Sequence, residues 1–240
     1  KKMRIYRIYN TIIIVATCLA LFTSCKNHDA TQEDLGYSYF PINDGDYSIF
    51  SVVDTIFNGI NNGVVVDSSA SYFLKEEIHE PITVADETRY QVYRYYSSDV
   101  NTWNDYPDSV WTEFNTNGKI VRIENNMRFV KLIFPLVVGK TWNGNIANTN
   151  PQLAQTYTMI NVFRPFSYDS QSFPKTVTVV QYNDSSAIGS HYSGEVYANE
   201  IGLVYKEIKR YEHQDNSNIT PLVSGGRHYI QKLLSYGKYK

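Results

Sequence analysis

From Tyr37 onwards the chain is written in short apolar–polar alternations, separated by clusters of Asn, Asp, Gly and Ser. A period of two sends successive side chains to opposite faces of an extended backbone. The pattern predicts strands over residues 47–57, 70–79, 88–97, 109–115, 119–124, 128–134, 156–163, 175–183, 202–211 and 228–236. In 88–97, Tyr90, Val92 and Tyr96 share one face, and Arg89, Gln91, Tyr93 and Tyr95 share the other. In 175–183, Val177 and Val179 oppose Thr176, Thr178, Val180 and Tyr182. Neither face of either segment is purely polar. Such strands are covered on both sides or lie in a curved, partly closed sheet.

The breaks between these segments fit antiparallel connections. Asn117-Gly118 lies between two strand patterns, as in a tight hairpin. Asn58-Gly59 and Asn62-Gly63 mark a loop, and residues 83–87 form a polar link. One short helix is predicted over Tyr192–Asn199, with Glu195 in its first turn and Gly202 soon after its end. The expected fold is all-β: curved antiparallel sheet, open or partly closed like a barrel, with at most one short helix. Phe40-Pro41-Ile42-Asn43-Asp44-Gly45 is echoed by Phe134-Pro135-Leu136-Val137-Val138-Gly139. In each, Pro suits the start of a strand and Gly a tight turn into the next. The echo suggests two similar halves, 37–132 and 133–240; chance similarity in a Gly- and Pro-punctuated β protein is the alternative.

The first 36 residues follow other rules. Lys1, Lys2, Arg4 and Arg7 precede an apolar run from Ile12 to Phe22, and Thr23-Ser24 lead directly to Cys25. A basic start, a short apolar run and small residues before a cysteine form a bacterial lipoprotein signal. The run is about half the roughly 20 residues that a transmembrane helix needs. Phe22 stands where Leu is usual, with Leu21 before it. The sequence thus divides into a signal peptide (1–24), a polar tether that begins with the acylated Cys25 (25–36) and a β-rich body (37–240). The predicted place is the cell envelope, at the outer membrane, held by lipid; the face of that membrane is left open.

Charge and cysteine usage narrow the function classes. Four of the 22 Lys and Arg lie before Cys25, which leaves 18 against 24 Asp and Glu and a formal charge of −6 after cleavage. No basic run is present, so nucleic acid is not an expected partner. Cys18 leaves with the signal and Cys25 carries lipid, so the body has no disulfide, thiol nucleophile or Cys-ligated metal. Aromatic residues make up 15% of the chain, and 21 of them are Tyr. An extended sheet is the default place for so many rings.

Further motifs carry a resemblance. The signal and Cys25 come with Trp103, Asp108-Ser109-Val110-Trp111 and Glu124-Asn125-Asn126-Met127-Arg128-Phe129. Phe134-Pro135, Gly139-Lys140-Thr141-Trp142-Asn143-Gly144-Asn145 and Gly202-Leu203-Val204-Tyr205-Lys206-Glu207 follow. Across nearly its whole length the chain resembles a group of uncharacterised outer-membrane lipoproteins of Bacteroidota-type bacteria. The resemblance implies a location and an all-β fold. It implies no activity, substrate or catalytic residue.

Candidate chemistry is sparse. His28, His79, His191, His213 and His228 are scattered without metal-site spacing, so no metal and no cofactor is expected. Gly189-Ser190-His191-Tyr192-Ser193-Gly194 reads as a glycine-bounded turn rather than a nucleophile elbow. Asn43-Asp44-Gly45-Asp46 resembles part of a calcium loop but lacks the distal Glu, and a turn explains it. Glu76, Glu77, Asp105, Asp108 and Asp184 offer carboxylates for glycoside hydrolysis, although Glu76 and Glu77 point to opposite faces of one strand. No catalytic residue is assigned, and an enzyme is not expected. The best candidate site is the aromatic segment Tyr95–Trp111, with Trp103, Tyr106 and Trp111 as ligand-binding residues. Rings beside amides and carboxylates suit a glycan; the competing role is an inward cover for an open sheet end. The expected function is non-catalytic binding or a structural role in the envelope. The alternatives are a surface glycan-binding protein and a carrier of lipid or another apolar ligand.

Overall fold

The computed structural model describes residues 35–61, 64–84, 86–148, 154–214 and 222–239. The signal segment, Cys25 and the tether up to Asp34 lie outside the described residues. After a single 3-10 turn (Tyr37–Tyr39) the body is built of strands. The first six are β1 (Asp46–Asn61), β2 (Val64–Val84), β3 (Glu87–Ser97), β4 (Ser109–Thr116), β5 (Lys119–Glu124) and β6 (Met127–Ile133). The second six are β7 (Thr141–Asn143), β8 (Thr156–Tyr168), β9 (Gln171–Ser186), β10 (Gly189–Ala198), β11 (Gly202–Gln214) and β12 (Leu222–Lys238).

All twelve form one antiparallel sheet in the order β6-β5-β4-β3-β2-β1-β12-β11-β10-β9-β8-β7, curled almost into a barrel. It is two six-stranded meanders, β1–β6 and β7–β12, joined by the long β1–β12 ladder. Their outer edges, β6 and β7, approach without a ladder and leave one unsealed seam. Among the described residues a single backbone bond, Val130 N–H to the Gly144 carbonyl (2.8 Å), crosses there.

The same turn opens both meanders. The Asp46 amide reaches the Asn43 carbonyl and the Lys140 amide reaches that of Val137. Gly45 and Gly139 sit at φ +85° and +80°, where a side chain is strained. Each glycine amide then bonds a carbonyl on the meander's second strand, Ile78 of β2 and Met159 of β8. The sequence echo is therefore a structural one.

Alternation located ten strands, and two regions differ from its prediction. Tyr192–Asn199 is no helix: residues 192–198 belong to β10, which is laddered on both sides to β9 and β11. Its residues 193–198 are buried on both faces, so no polar alternation is visible, and Glu195 points into the barrel. Gly189 is also in this strand, so the segment 189–194 is no turn. Asn58-Gly59 lies within β1; the turn at 62–63 is outside the described residues. β7 has only three residues, too few for a pattern. The Asn117-Gly118 hairpin forms with φ 49° and 70°, as a type I′ turn requires.

The core occupies the barrel and one overlay. Ile120, Leu132, Met159, Val177 and Val179 form one apolar cluster, closed by Tyr39 and Phe40 of the N-terminal segment. That segment crosses one end of the barrel: the Leu35 carbonyl accepts from Leu136 N–H (3.3 Å), and the Ser38 carbonyl from Glu200 N–H (2.7 Å). Phe50, Val52, Leu74, Val204 and Leu233 belong to a second cluster. Each fully buried side chain of this kind contributes about 1.5–3 kcal/mol. Outside the barrel, the β8–β9 hairpin bends at Asn161 and Phe163 (φ 51° and 58°). It lies over β11–β12, where the Tyr168 hydroxyl donates to the Leu233 carbonyl (2.7 Å) and Phe166 meets Tyr205. This overlay is why those strands carry apolar residues on both faces.

Candidate functional site

Register fixes which side chains meet inside the barrel. Glu76 of β2 lies opposite Arg94 of β3, and Glu113 of β4 opposite Arg122 of β5. Glu195 of β10 lies opposite Lys206 of β11, beside Gln231 of β12. All seven point inward, and each of the four glutamates and arginines of the first group is at least nine-tenths buried. Arg94 Nε donates to Glu76 Oε1 (2.9 Å), Arg122 Nη2 to Glu76 Oε2 (3.0 Å) and Arg122 Nε to Glu113 Oε2 (2.9 Å). A bulge on β6 turns Lys131 inward, where it meets Glu124 (3.3 Å) and, across the lumen, Glu195 (2.7 Å). Lys206 also reaches Glu195 (3.2 Å), and the Tyr197 hydroxyl donates to its second oxygen. One chain of charge thus joins the first meander to the second through Lys131 and Glu195.

The electrostatics follow from burial and these partners. Burial alone raises a carboxyl pKa, but Arg122 and Arg94 outweigh it and hold Glu76 below the usual range. At Glu195 burial is outweighed by Lys131 and Lys206, which hold the carboxyl far down. The Lys131 ammonium is raised, because Glu124 and Glu195 overcome its burial. Glu113 is the exception. Burial pushes its carboxyl up, Arg122 offsets only part of this, and the nearby Glu76 charge adds to the rise.

Beside this chain lies a cavity of about 550 Å³. Glu76, Arg94, Arg122, Lys131, Glu195 and Lys206 line it together with the rings of Phe40, Tyr72, Tyr96, Trp111 and Tyr229. Arg94 lies 3.5 Å above the Trp111 ring, a close cation–π contact. Trp111 Nε1 is buried and has no hydrogen-bond partner. A cavity of this size suits a small molecule, with rings to stack on and fixed polar groups to orient it.

The aromatic segment chosen from sequence does not converge. Trp111 lies on β4 opposite Val92 and faces the lumen. Trp103 lies against Lys75, on the opposite face of β2 from Glu76. Tyr106 is 82% exposed at the loop tip. Of the three residues chosen, only Trp111 belongs to the cavity, which it shares with Tyr96 at the start of the segment. The loop itself is held by Asp99, which accepts from Asn101 N–H and Thr102, and by Asp108, which accepts from Tyr96 N–H. Asn43-Asp44-Gly45-Asp46 is the turn described above, closed by Asn43 donating to Asp46. Four histidines are far apart in role: His79 stacks on Tyr93, His191 on Tyr182, His228 meets Glu207, and His213 joins a backbone bond to Ile188. Among the described residues no group of three or more His, Cys, Asp or Glu is placed to hold a metal.

Sequence reasoning missed Arg94, Glu113, Arg122, Lys131, Glu195 and Lys206. The available signal was a charge recurring on the same strand face as rings, as with Arg94 between Val92 and Tyr96.

No family model matches the chain, and no curated protein matches it. Among solved structures it is similar to a "putative exported protein with YmcC-like fold" from Bacteroides fragilis: 10% identity, 82% of this chain and 98% of that one, TM-score 0.38. It is also similar to a "putative lipoprotein" from Parabacteroides distasonis: 11% identity, 82% and 98% coverage, TM-score 0.36.

Proposed function

We propose that the chain is a cell-envelope lipoprotein, acylated at Cys25, whose barrel interior binds a small, neutral, hydroxylated ligand of sugar size. The observation that carries the reading is the cavity itself, where aromatic rings stand beside a chain of mutually compensated charges. Six carboxylates and six cations leave the lining close to neutral overall, so neither an anion nor a cation is favoured. Hydroxyl groups find donors and acceptors there, and CH faces find rings. A lipid cargo would leave these charges buried against hydrocarbon, which is costly. Binding rather than turnover fits because each interior carboxylate is already committed to a cation.

The test is a tryptophan-fluorescence titration of the acylated protein with a panel of mono- and oligosaccharides. A saturable change is expected, lost in Trp111→Phe and kept in Trp103→Phe. A change that survives Trp111→Phe, or no saturable change with any sugar, would reject the interior site. The anchor is tested separately by vesicle flotation, where the full-length Cys25→Ser form should fail to float.

A further inference from the structure

The two copies of the opening turn differ in chemistry. In the first, positions two and one before the glycine are Asn43 and Asp44. In the second they are Val137 and Val138, exposed at 50% and 65%. Nothing in the fold demands valine there, because both turns make the same backbone bonds. A pair of β-branched apolar residues on an exposed turn gains nothing from water.

The place of this turn matters more than its composition. Leu136, its immediate neighbour, donates its N–H to the Leu35 carbonyl. Gly36 packs directly on the Leu136 side chain. The tether therefore enters the body beside Val137 and Val138. From Leu35 back to Cys25 the chain spans at most about 35 Å when fully extended. Two lysines flank the turn: Lys140, whose ammonium donates to the Phe134 and Pro135 carbonyls (3.0 Å each), and exposed Lys119, which pairs with Ile133 at the adjoining hairpin. Exposed Glu200, bonded to Ser38, is the acid on the tether side. No Asp or Glu occurs from Met127 to Asn161, a stretch that includes the whole turn.

We infer that Val137 and Val138 form a second membrane contact, seating the tethered end of the barrel on a lipid surface with anionic headgroups. The inference rests on acylation at Cys25. An acyl anchor alone holds the protein to the bilayer but does not orient it. Two apolar side chains beside the tether, with lysines at headgroup level, supply an orientation. The opposite end of the barrel, and with it the β9–β10 turn, then faces away from the lipid. That turn carries another apolar tip, Ile188, exposed at 78%. It lies at the far end of β10 from Glu200, which is bonded to Ser38 near the tether.

Cleaved, acylated protein has no free thiol, so one introduced cysteine takes a single label. Val138→Cys and Ile188→Cys are made in the acylated protein, labelled with an environment-sensitive fluorophore, and bound to vesicles of phosphatidylethanolamine and phosphatidylglycerol. Lipid-borne nitroxide is then added. The expected result is a blue shift and strong quenching at position 138, and emission unchanged from solution at 188. Equal quenching at both positions, or solvent-like emission at 138 on floated protein, overturns the docking and leaves the anchor standing. Protein that fails to float at all overturns the acylation reading and the docking with it. A label at 138 that shifts on neutral phosphatidylcholine vesicles as much as on anionic ones overturns the role of Lys119 and Lys140.

Discussion

The two meanders meet twice, and the two junctions are made differently. At the β1–β12 junction the backbone does the joining, with paired residues running from Asp46 opposite Lys238 to Phe57 opposite Gly226. At the β6–β7 junction one backbone bond remains among the described residues, and side chains take over. The Asn148 side-chain amide accepts from Arg128 N–H and donates to the Arg128 carbonyl, mimicking a neighbouring strand. The Trp142 indole donates to the Val130 carbonyl (2.8 Å). Inside, Lys131 of β6 reaches Glu195 of the other meander. A ladder spreads its strength over many weak equal bonds, whereas the seam concentrates its closure in a few groups. The first junction should therefore tolerate single substitutions that the second does not.

The largest effect is expected at the lumen. Lys131→Met removes the cation shared by Glu124 and Glu195 and leaves carboxylates buried with fewer partners, at a cost of about 3–5 kcal/mol. The matching change at the other junction, Asp54→Asn, breaks its pair with the half-exposed Arg227 and should cost less than about 1 kcal/mol. Urea unfolding of both variants compares them. Equal losses would show that the seam is no weaker than the ladder.

An intermediate effect is expected from acid. Glu76, Glu124 and Glu195 titrate below the ordinary carboxyl value of about 4.5 in the folded protein. Their stabilisation is complete above that value and is lost as pH falls through the folded values, because the unfolded chain then binds more protons. Glu113 acts in the opposite sense, since its folded value is raised: its contribution is full at low pH and fades as pH rises through that value. Three groups outweigh one, so stability should fall from about pH 5 downwards. Hydrogen exchange sharpens the comparison. The Val130 amide at the seam should lose protection in acid before the Val52 amide of β1 does. Simultaneous loss would mean that the ion chain does not hold the seam.

The smallest effect is expected from Asn148→Ala, which removes two exposed hydrogen bonds worth about 0.5–1.5 kcal/mol together. Its signature is local: faster exchange at Arg128 with an almost unchanged urea midpoint. A shift as large as that of Lys131→Met would contradict the ranking.

Much of the frame was legible in the sequence and most of the site was not. Alternation located ten strands because side-chain period two is a local property. The strand β10 was lost because its inward Glu195 and its fully buried flanks erase that period. The ion chain could not be read because it depends on register between distant segments: Arg94 lies 18 residues from Glu76, and Lys131 lies 64 from Glu195. Trp111 was singled out for its place in an aromatic segment. Its role depends on β4 beginning at Ser109, which turns it inward and away from Trp103 and Tyr106.

The pairing of the first strand with the last has a consequence for how the chain comes to be folded. As synthesis proceeds from the N terminus, β2 to β6 can zip onto one side of β1 as soon as they exist. The other side of β1 waits for β12, the last in chain order of the twelve described strands. For that interval a long strand bears a free edge, the kind of surface on which chains pair with one another and aggregate. Contacts so far apart in sequence also form slowly. The barrel is thus a late-closing structure, and the period before closure is when it most needs to be kept from its own copies.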